Sequence, residues 1–168
     1  MSMTTVILML AMATTSANEY VSYDTPKESI NQPDTLIIDY DKKILWVGHA
    51  GRGMRFCQQN DRRYCFESSA VSFAVPKEGI SVGESWKENG INYKVDRVQK
   101  ISSLGISVDC FVIVSLQKAK QIQFFYSTKQ GLVAMWFLSK NFKDGNFFIS
   151  TEENGFPHPR TVRPESVN

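Results

Sequence analysis

The segment from Ile106 to Leu138 constrains the fold most, because its apolar side chains alternate along three successive runs. A period of two predicts β-strands. With turns at residues 117–120 and 128–131, the runs form an antiparallel meander that places Tyr126 opposite Val133. One face then carries only apolar or aromatic side chains: Phe111, Ile113, Ile122, Phe124, Tyr126, Val133, Met135 and Phe137. A slip of one residue would scatter this face, so the pattern specifies the register strongly.

Further apolar runs, separated by turn residues, extend the pattern along the chain. Asn89-Gly90 predicts a two-residue turn that puts Trp86 opposite Tyr93. The stretch after Tyr93 indicates a strand interrupted by a bulge. The reverse face of the meander is only partly apolar, which favours a curved sheet with a cavity or partner site on one side. We therefore predict an all-β fold with a single antiparallel curved sheet of about nine to eleven strands, as an open barrel or a sandwich.

Cys57 and Cys65 flank a polar stretch and could form a metal clip, a catalytic thiol or a disulfide. Their spacing does not match the close-spaced ligand pairs of zinc sites, and the chain has two histidines to complete a shell. A catalytic thiol would need an activating base, for which His49 is the nearest candidate. The common hydrolase and metalloprotease motifs are missing from the sequence. We therefore predict no metal site, no cofactor and no enzymatic activity.

A disulfide between these two cysteines is favoured by the register of a hairpin. If the cysteines face each other, Phe56 lies opposite Phe66 and Arg55 lies opposite Glu67, which gives an aromatic pair and an opposite-charge pair. A disulfide implies an oxidising compartment. The alternative is a pair of reduced, half-buried cysteines in a cytosolic protein.

The N-terminal residues are typical of a secretory signal. An apolar run too short to span a bilayer is followed by small residues and a cleavage site after Ala17, although no cation precedes the run. Residues 18–34 are polar and indicate an arm or loop. The last residues contain three prolines and no apolar period, which indicates disorder. The predicted organisation is a signal peptide (1–17), a β domain (18–151) and a disordered tail (152–168), with a periplasmic or secreted location.

The charge pattern limits the partners of the protein. The net charge is +2 and the basic residues are spread along the chain, so a nucleic-acid partner is not expected. No apolar run beyond the leader is long enough for a membrane span, so the protein is not predicted to be an integral membrane protein. One local group of basic side chains predicts a partner-binding loop, with a solvated hairpin tip as the alternative: His49, Arg52, Arg55, Arg62 and Arg63.

Four motifs between Val82 and Phe137 occur in order: "VGESW", "GINYKV", "SLGISVDCFVI" and "FFYSTKQGLV". This block resembles a β-domain pattern of bacterial envelope proteins, many of which have an open barrel like that of the LolA/LolB lipoprotein carriers. The resemblance implies an open barrel and an envelope location, and it brings no catalytic residues.

Two function classes follow from these patterns. The first is an exported, non-catalytic binding or carrier domain with an apolar pocket for a hydrophobic ligand. The second is a small secreted interaction protein, such as an inhibitor or immunity protein, that binds a protein partner through exposed loops.

Overall fold

The computed structural model describes residues 15–23, 35–58, 61–103, 106–117, 120–138, 145–158 and 160–162. The regular structure in these ranges is β-strand throughout, and no helix in them could cross a membrane. The strands are β1 (Thr15–Tyr23), β2 (Thr35–Asp39), β3 (Ile44–Val47), β4 (Ala50–Phe56), β5 (Arg63–Ser68), β6 (Ser72–Pro76), β7 (Ser85–Glu88), β8 (Ile91–Ser103), β9 (Ile106–Gln117), β10 (Lys120–Ser127), β11 (Gly131–Leu138), β12 (Gly145–Ser150) and β13 (Arg160–Val162).

All thirteen described strands belong to one antiparallel sheet. The order across the sheet is β6-β5-β4-β3-β2-β1-β12-β11-β10-β9-β8-β7, and β13 pairs with the beginning of β1. The sheet curls until its outer strands β6 and β7 lie against each other, so it is nearly closed into a barrel. The predicted all-β fold with a single curved sheet is confirmed. The number of strands exceeds the predicted number of about nine to eleven. One reason is that β1 and β13 lie in segments without apolar alternation, which the sequence pattern does not indicate as strands.

Two side chains from the far end of the sheet, on β7 and β9, bond to the outer strand β6. The indole Nε1 of Trp86 on β7 donates a hydrogen bond to the carbonyl oxygen of Ala74 on β6, at 3.2 Å. The amide of Gln117 donates to the carbonyl oxygen of Ser72 at 2.6 Å and accepts from its N–H at 2.9 Å. An edge strand carries backbone groups that need partners. These two side chains therefore bond to backbone N–H and carbonyl groups on the free edge of β6. In a sheet with one more strand, the backbone of that strand would bond to the same groups.

The register of the β9–β10–β11 meander is confirmed except at one end. The confirmed pairs are Phe111 with Tyr126, Ile113 with Phe124, Phe124 with Met135 and Ile122 with Phe137. The predicted pairing of Tyr126 with Val133 is wrong, because Tyr126 lies opposite Leu132. Gly131 has a left-handed φ of 78° and pairs with Ser127, which shortens the loop by one residue. Val133 is displaced by the resulting bulge and packs with the apolar cluster on the other face.

The two other local predictions in β7 and β8 are also confirmed. Asn89 and Gly90 both have positive φ angles, and the turn places Trp86 opposite Tyr93, with the rings stacked at 5.8 Å. The register of β8 shifts between Val95 and Arg97, which is the predicted bulge.

Both ends of the β domain differ from the prediction. Residues 18–23, expected in an arm or loop, belong to β1. The described part of the predicted disordered tail is ordered: Phe156 is buried and residues 160–162 form β13 against Thr15–Ala17. These polar segments are ordered by partners that are far away in sequence. Cleavage after Ala17 would remove the pairing partner of β13. The signal peptide stays a prediction, because residues 1–14 lie outside the described residues, as do residues 163–168.

The hairpin of β4 and β5 has the predicted register and carries the disulfide. Phe56 lies opposite Phe66 and Arg55 opposite Glu67, with an ion pair of 3.0 Å between Arg55 Nη2 and Glu67 Oε2. Cys57 and Cys65 are bonded, and their Cα atoms are 5.1 Å apart.

Reduction of this disulfide is expected to lower the free energy of unfolding by about 2–3 kcal/mol, because it frees a short loop in the unfolded chain. Urea unfolding of the oxidised and reduced protein measures the difference. The double variant Cys57→Ser/Cys65→Ser is the control, because its stability should not respond to reductant. Two free thiols at these positions in the native protein, detected by mass spectrometry, would contradict the assignment.

Candidate functional site

One end of the barrel is open, and we call it the mouth. It is bordered by Val47, Ser68, Gln117, Lys120 and Asn146, which lie at or near the ends of β3, β5, β9, β10 and β12. A cavity of about 910 Å³ opens there. Ligand pockets in proteins are typically about 300–1,000 Å³, so the cavity is large enough for a small molecule.

The inner walls of the cavity are apolar. Leu36, Val71, Ile122 and Phe148 line it and are buried, and Ile91 and Phe137 line it and are partly buried. All of them except Val71, which lies in the turn between β5 and β6, are strand residues, and strand residues alternate between the two faces of the sheet. The rings of Phe137 and Phe148 contact each other edge to face, with centroids 5.5 Å apart.

The buried amide of Gln117 in the cavity wall is already paired. The amide of Gln117 bonds both backbone groups of Ser72, and its Nε2 also donates to Ser115 Oγ at 2.8 Å. A buried polar group without a partner would favour a polar ligand atom. Since these groups are satisfied inside the protein, the inner part of the cavity is suited to an apolar ligand.

The rim of the mouth carries both charged and apolar side chains. Glu67 Oε2 accepts from Arg55 at 3.0 Å and from Asn89 Nδ2 at 3.1 Å, so this carboxylate is engaged on two sides. Two apolar side chains that line the cavity are exposed to solvent: Leu116 by 68% and Val47 by 36%. Apolar surface therefore continues from the cavity out to the rim.

The opposite end of the barrel is closed by the segment Asn154–His158, which we call the basal plug. Phe156 is 3% exposed, and four aromatic rings surround it at centroid distances of 5.0–6.2 Å: Tyr40, Phe56, Phe66 and Phe73. The plug therefore completes the aromatic core at the end away from the cavity.

Two side chains of β1 hold the basal plug. The Tyr20 hydroxyl accepts from the N–H of Phe156 at 3.0 Å and donates to the carbonyl oxygen of Leu132 at 3.0 Å. Burial raises the pKa of Tyr20 far above its ordinary value, so the hydroxyl remains a donor. The amide of Asn18 donates to the carbonyl oxygens of Asn154 and His158, both at 3.1 Å.

The five residues of the predicted partner-binding group lie in the β3–β4 turn, on β4 and at the start of β5. His49 lies in the exposed turn between β3 and β4, and Arg52 is exposed on β4. Arg55 lines the cavity at the mouth. Arg62 and Arg63 lie at or just before the start of β5, and the Arg63 guanidinium forms an ion pair with Glu88. Glu88 precedes the Asn89-Gly90 turn, which lines the cavity. The structure therefore brings one member of the group, Arg55, to the cavity.

The glycine-rich stretch between these strands is a tight hairpin and not an open loop. Gly48 has a φ of 56°, and only Gly48 and His49 lie between β3 and β4. At Gly51 a Cβ atom would lie 3.0 Å from the ring of Trp46, so glycine leaves room for this indole to lie over the neighbouring strand.

The third cysteine lies apart from the cavity. Cys110 is buried on the other face of the sheet, in a cluster with Val112 and Phe125. Burial, and to a lesser degree the charge of Asp109, raises the pKa of the Cys110 thiol to about 12, so it is protonated at neutral pH. In the described ranges, no group of three or more His, Cys, Asp or Glu side chains could hold a metal ion.

Comparison with protein-family models, with curated proteins and with solved structures gave no match. The resemblance to the LolA/LolB carriers therefore stays a prediction. By its fold, the protein is a small, nearly closed antiparallel β-barrel. It has a cavity with apolar inner walls at one end and an aromatic plug at the other.

Sequence patterns missed most of this site. Ile122 and Phe137 were predicted to share the inner face, but Leu36 and Phe148 come from two separate strands, β2 and β12. Alternation could have placed each of them on an inward face. It carries no information on which inward side chains border an empty volume.

Proposed function

We propose that the protein is an exported, non-catalytic binding or carrier protein that holds a hydrophobic ligand in the cavity at the mouth. The observation that carries the proposal is a cavity of about 910 Å³ with apolar inner walls, in which the buried amide of Gln117 is already paired. The disulfide supports an oxidising location, since such bonds persist in the periplasm and outside the cell.

Exposed apolar side chains at the rim add support. Leu116 and Val47 are among the large apolar side chains that are exposed in the described residues, and both border the cavity. A ligand that fills the cavity and reaches the rim would cover apolar surface of both, which is favourable. The alternative, a protein partner bound through the basic loop group, has less support because Arg55 and Arg63 of that group are each held in an ion pair within the protein.

The proposal predicts saturable binding of a hydrophobic fluorescent dye, such as N-phenyl-1-naphthylamine, to the native protein. Ala70 lies exposed in the turn between β5 and β6 and lines the cavity. We expect Ala70→Trp to weaken dye binding about tenfold or more, because the indole would occupy the mouth. Titration followed by dye fluorescence gives the dissociation constants.

The matched control is Val82→Trp. Val82 is also exposed, but it lies in the turn between β6 and β7, at the end away from the mouth. This variant should bind the dye within about twofold of the unchanged protein, since the cavity is intact. Lack of saturable binding to the native protein, or equal loss in both folded variants, would refute the proposal.

A further inference from the structure

We infer that the cavity selects a single-chain amphiphile with a monoanionic head, such as a fatty carboxylate, and that Lys120 binds this head. The inference rests on the proposed function, because it assumes that the cavity holds the apolar part of a ligand. It adds the charge and the orientation of that ligand: the tail points into the barrel and the head stays at the mouth.

The position of Lys120 on its strand supports this orientation. Lys120 is the first residue of β10, and Ile122 and Phe124 follow it at spacings of two. Alternate residues of a strand share one face, so Lys120 lies in the same inward-facing row as these two buried side chains. The rise along a strand is about 3.3 Å per residue, so the Cα atom of Lys120 lies about 7 Å along the strand from that of Ile122.

A second row, on β12 two strands away, repeats this arrangement with a neutral donor. Asn146 on β12 lies opposite Phe137, and Phe148 follows two residues later. Asn146 is exposed at the mouth whereas Phe148 is buried in the cavity wall. A carboxylate accepts hydrogen bonds from ammonium and amide groups. Both rows therefore change from polar to apolar in the direction in which a tail would enter.

The charges of the rim favour an anion. Three ionisable side chains are among the described residues that line the cavity: Arg55, Glu67 and Lys120. Arg55 and Glu67 form an ion pair, and Glu67 also accepts from Asn89. No ion pair between described residues includes Lys120. The lining of the cavity therefore has one cation in excess, which is matched by one negative charge on the ligand.

The test compares three dodecyl compounds as competitors of the bound dye: dodecanoate, dodecanol and dodecyltrimethylammonium. We expect dodecanoate to bind about threefold to tenfold more tightly than dodecanol at low salt, and the advantage to shrink as salt is added. The cationic compound should bind most weakly. Dodecyl phosphate, as a fourth arm, separates a monoanion site from one that prefers a dianion.

Lys120→Glu should remove the advantage of dodecanoate over dodecanol and leave dodecanol binding nearly unchanged. The matched control is Lys129→Glu, which makes the same change of charge just beyond the other end of β10. It should preserve the preference for dodecanoate.

The outcomes separate the inference from the proposed function. Three results would overturn the inference and still leave a hydrophobic binding cavity. The first is equal binding of all dodecyl compounds, and the second is tightest binding of the cationic compound or of the phosphate. The third is an equal effect of both lysine substitutions. If neither the dye nor any dodecyl compound binds, the proposed function fails as well.

Discussion

Phe156→Ala is expected to lower the free energy of unfolding by about 3–5 kcal/mol, the range for truncation of a large buried aromatic side chain. Phe156 is buried among Tyr40, Phe56, Phe66 and Phe73, and it stacks with Tyr40 and Phe56. Removal of the ring would leave a void between rings that are held by different strands and cannot easily collapse. Urea unfolding, followed by tryptophan fluorescence, measures the loss.

This experiment also distinguishes the basal plug from the disordered tail that the sequence predicts. If residues 152–168 were disordered, Phe156→Ala would change stability by less than about 0.5 kcal/mol, as at most surface positions. The control Val82→Ala, at an exposed position, should show such a small effect. Dye binding by the folded Phe156→Ala variant should persist, since the plug lies at the end of the barrel away from the cavity.

Gly155→Ala is expected to destabilise the protein by more than about 3 kcal/mol, because the added methyl group would clash with backbone and not with an adaptable side chain. A Cβ atom at Gly155 would lie 1.8 Å from the carbonyl oxygen of Leu132 and 2.9 Å from the hydroxyl of Tyr20. Relief of the clash would move the plug away from β11. That movement would break the bond from the N–H of Leu132 to the carbonyl oxygen of Phe156, which is 2.7 Å long.

The matched control is Gly53→Ala. No atom lies within 4 Å of the position that a Cβ would take at Gly53, so this variant should be as stable as the unchanged protein or slightly more stable. Thermal and urea unfolding of both variants gives the comparison. A Gly155→Ala protein as stable as Gly53→Ala would show that the plug does not pack against Leu132 as described.

The strands of the meander could be predicted because their partners are close in sequence. Ile113, Phe124 and Met135 are eleven residues apart in turn, and short loops leave few registers that keep all three on one face. The error at Val133 has a local cause, since the left-handed conformation of Gly131 shortened the loop by one residue. The register of the disulfide hairpin was predictable for the same reason.

The basal plug could not be predicted, because it is assembled across the length of the chain. Asn18 and Tyr20 are buried, yet their polar neighbours indicate a loop. Their partners, Asn154, Phe156 and Leu132, lie more than a hundred residues away. A polar side chain can be buried when hydrogen bonds replace water, and that condition depends on tertiary structure.

By itself the sequence determined most of the strands of the single antiparallel sheet, the local registers except next to Gly131, and the cysteine pairing. These features depend on alternation and on turns between neighbouring residues. Only the tertiary structure decided that β6 meets β7, that Phe156 closes one end of the barrel, and that Lys120 stands above an apolar cavity at the other. The closing curvature of the sheet decides which distant side chains meet, and a one-dimensional pattern does not contain that curvature.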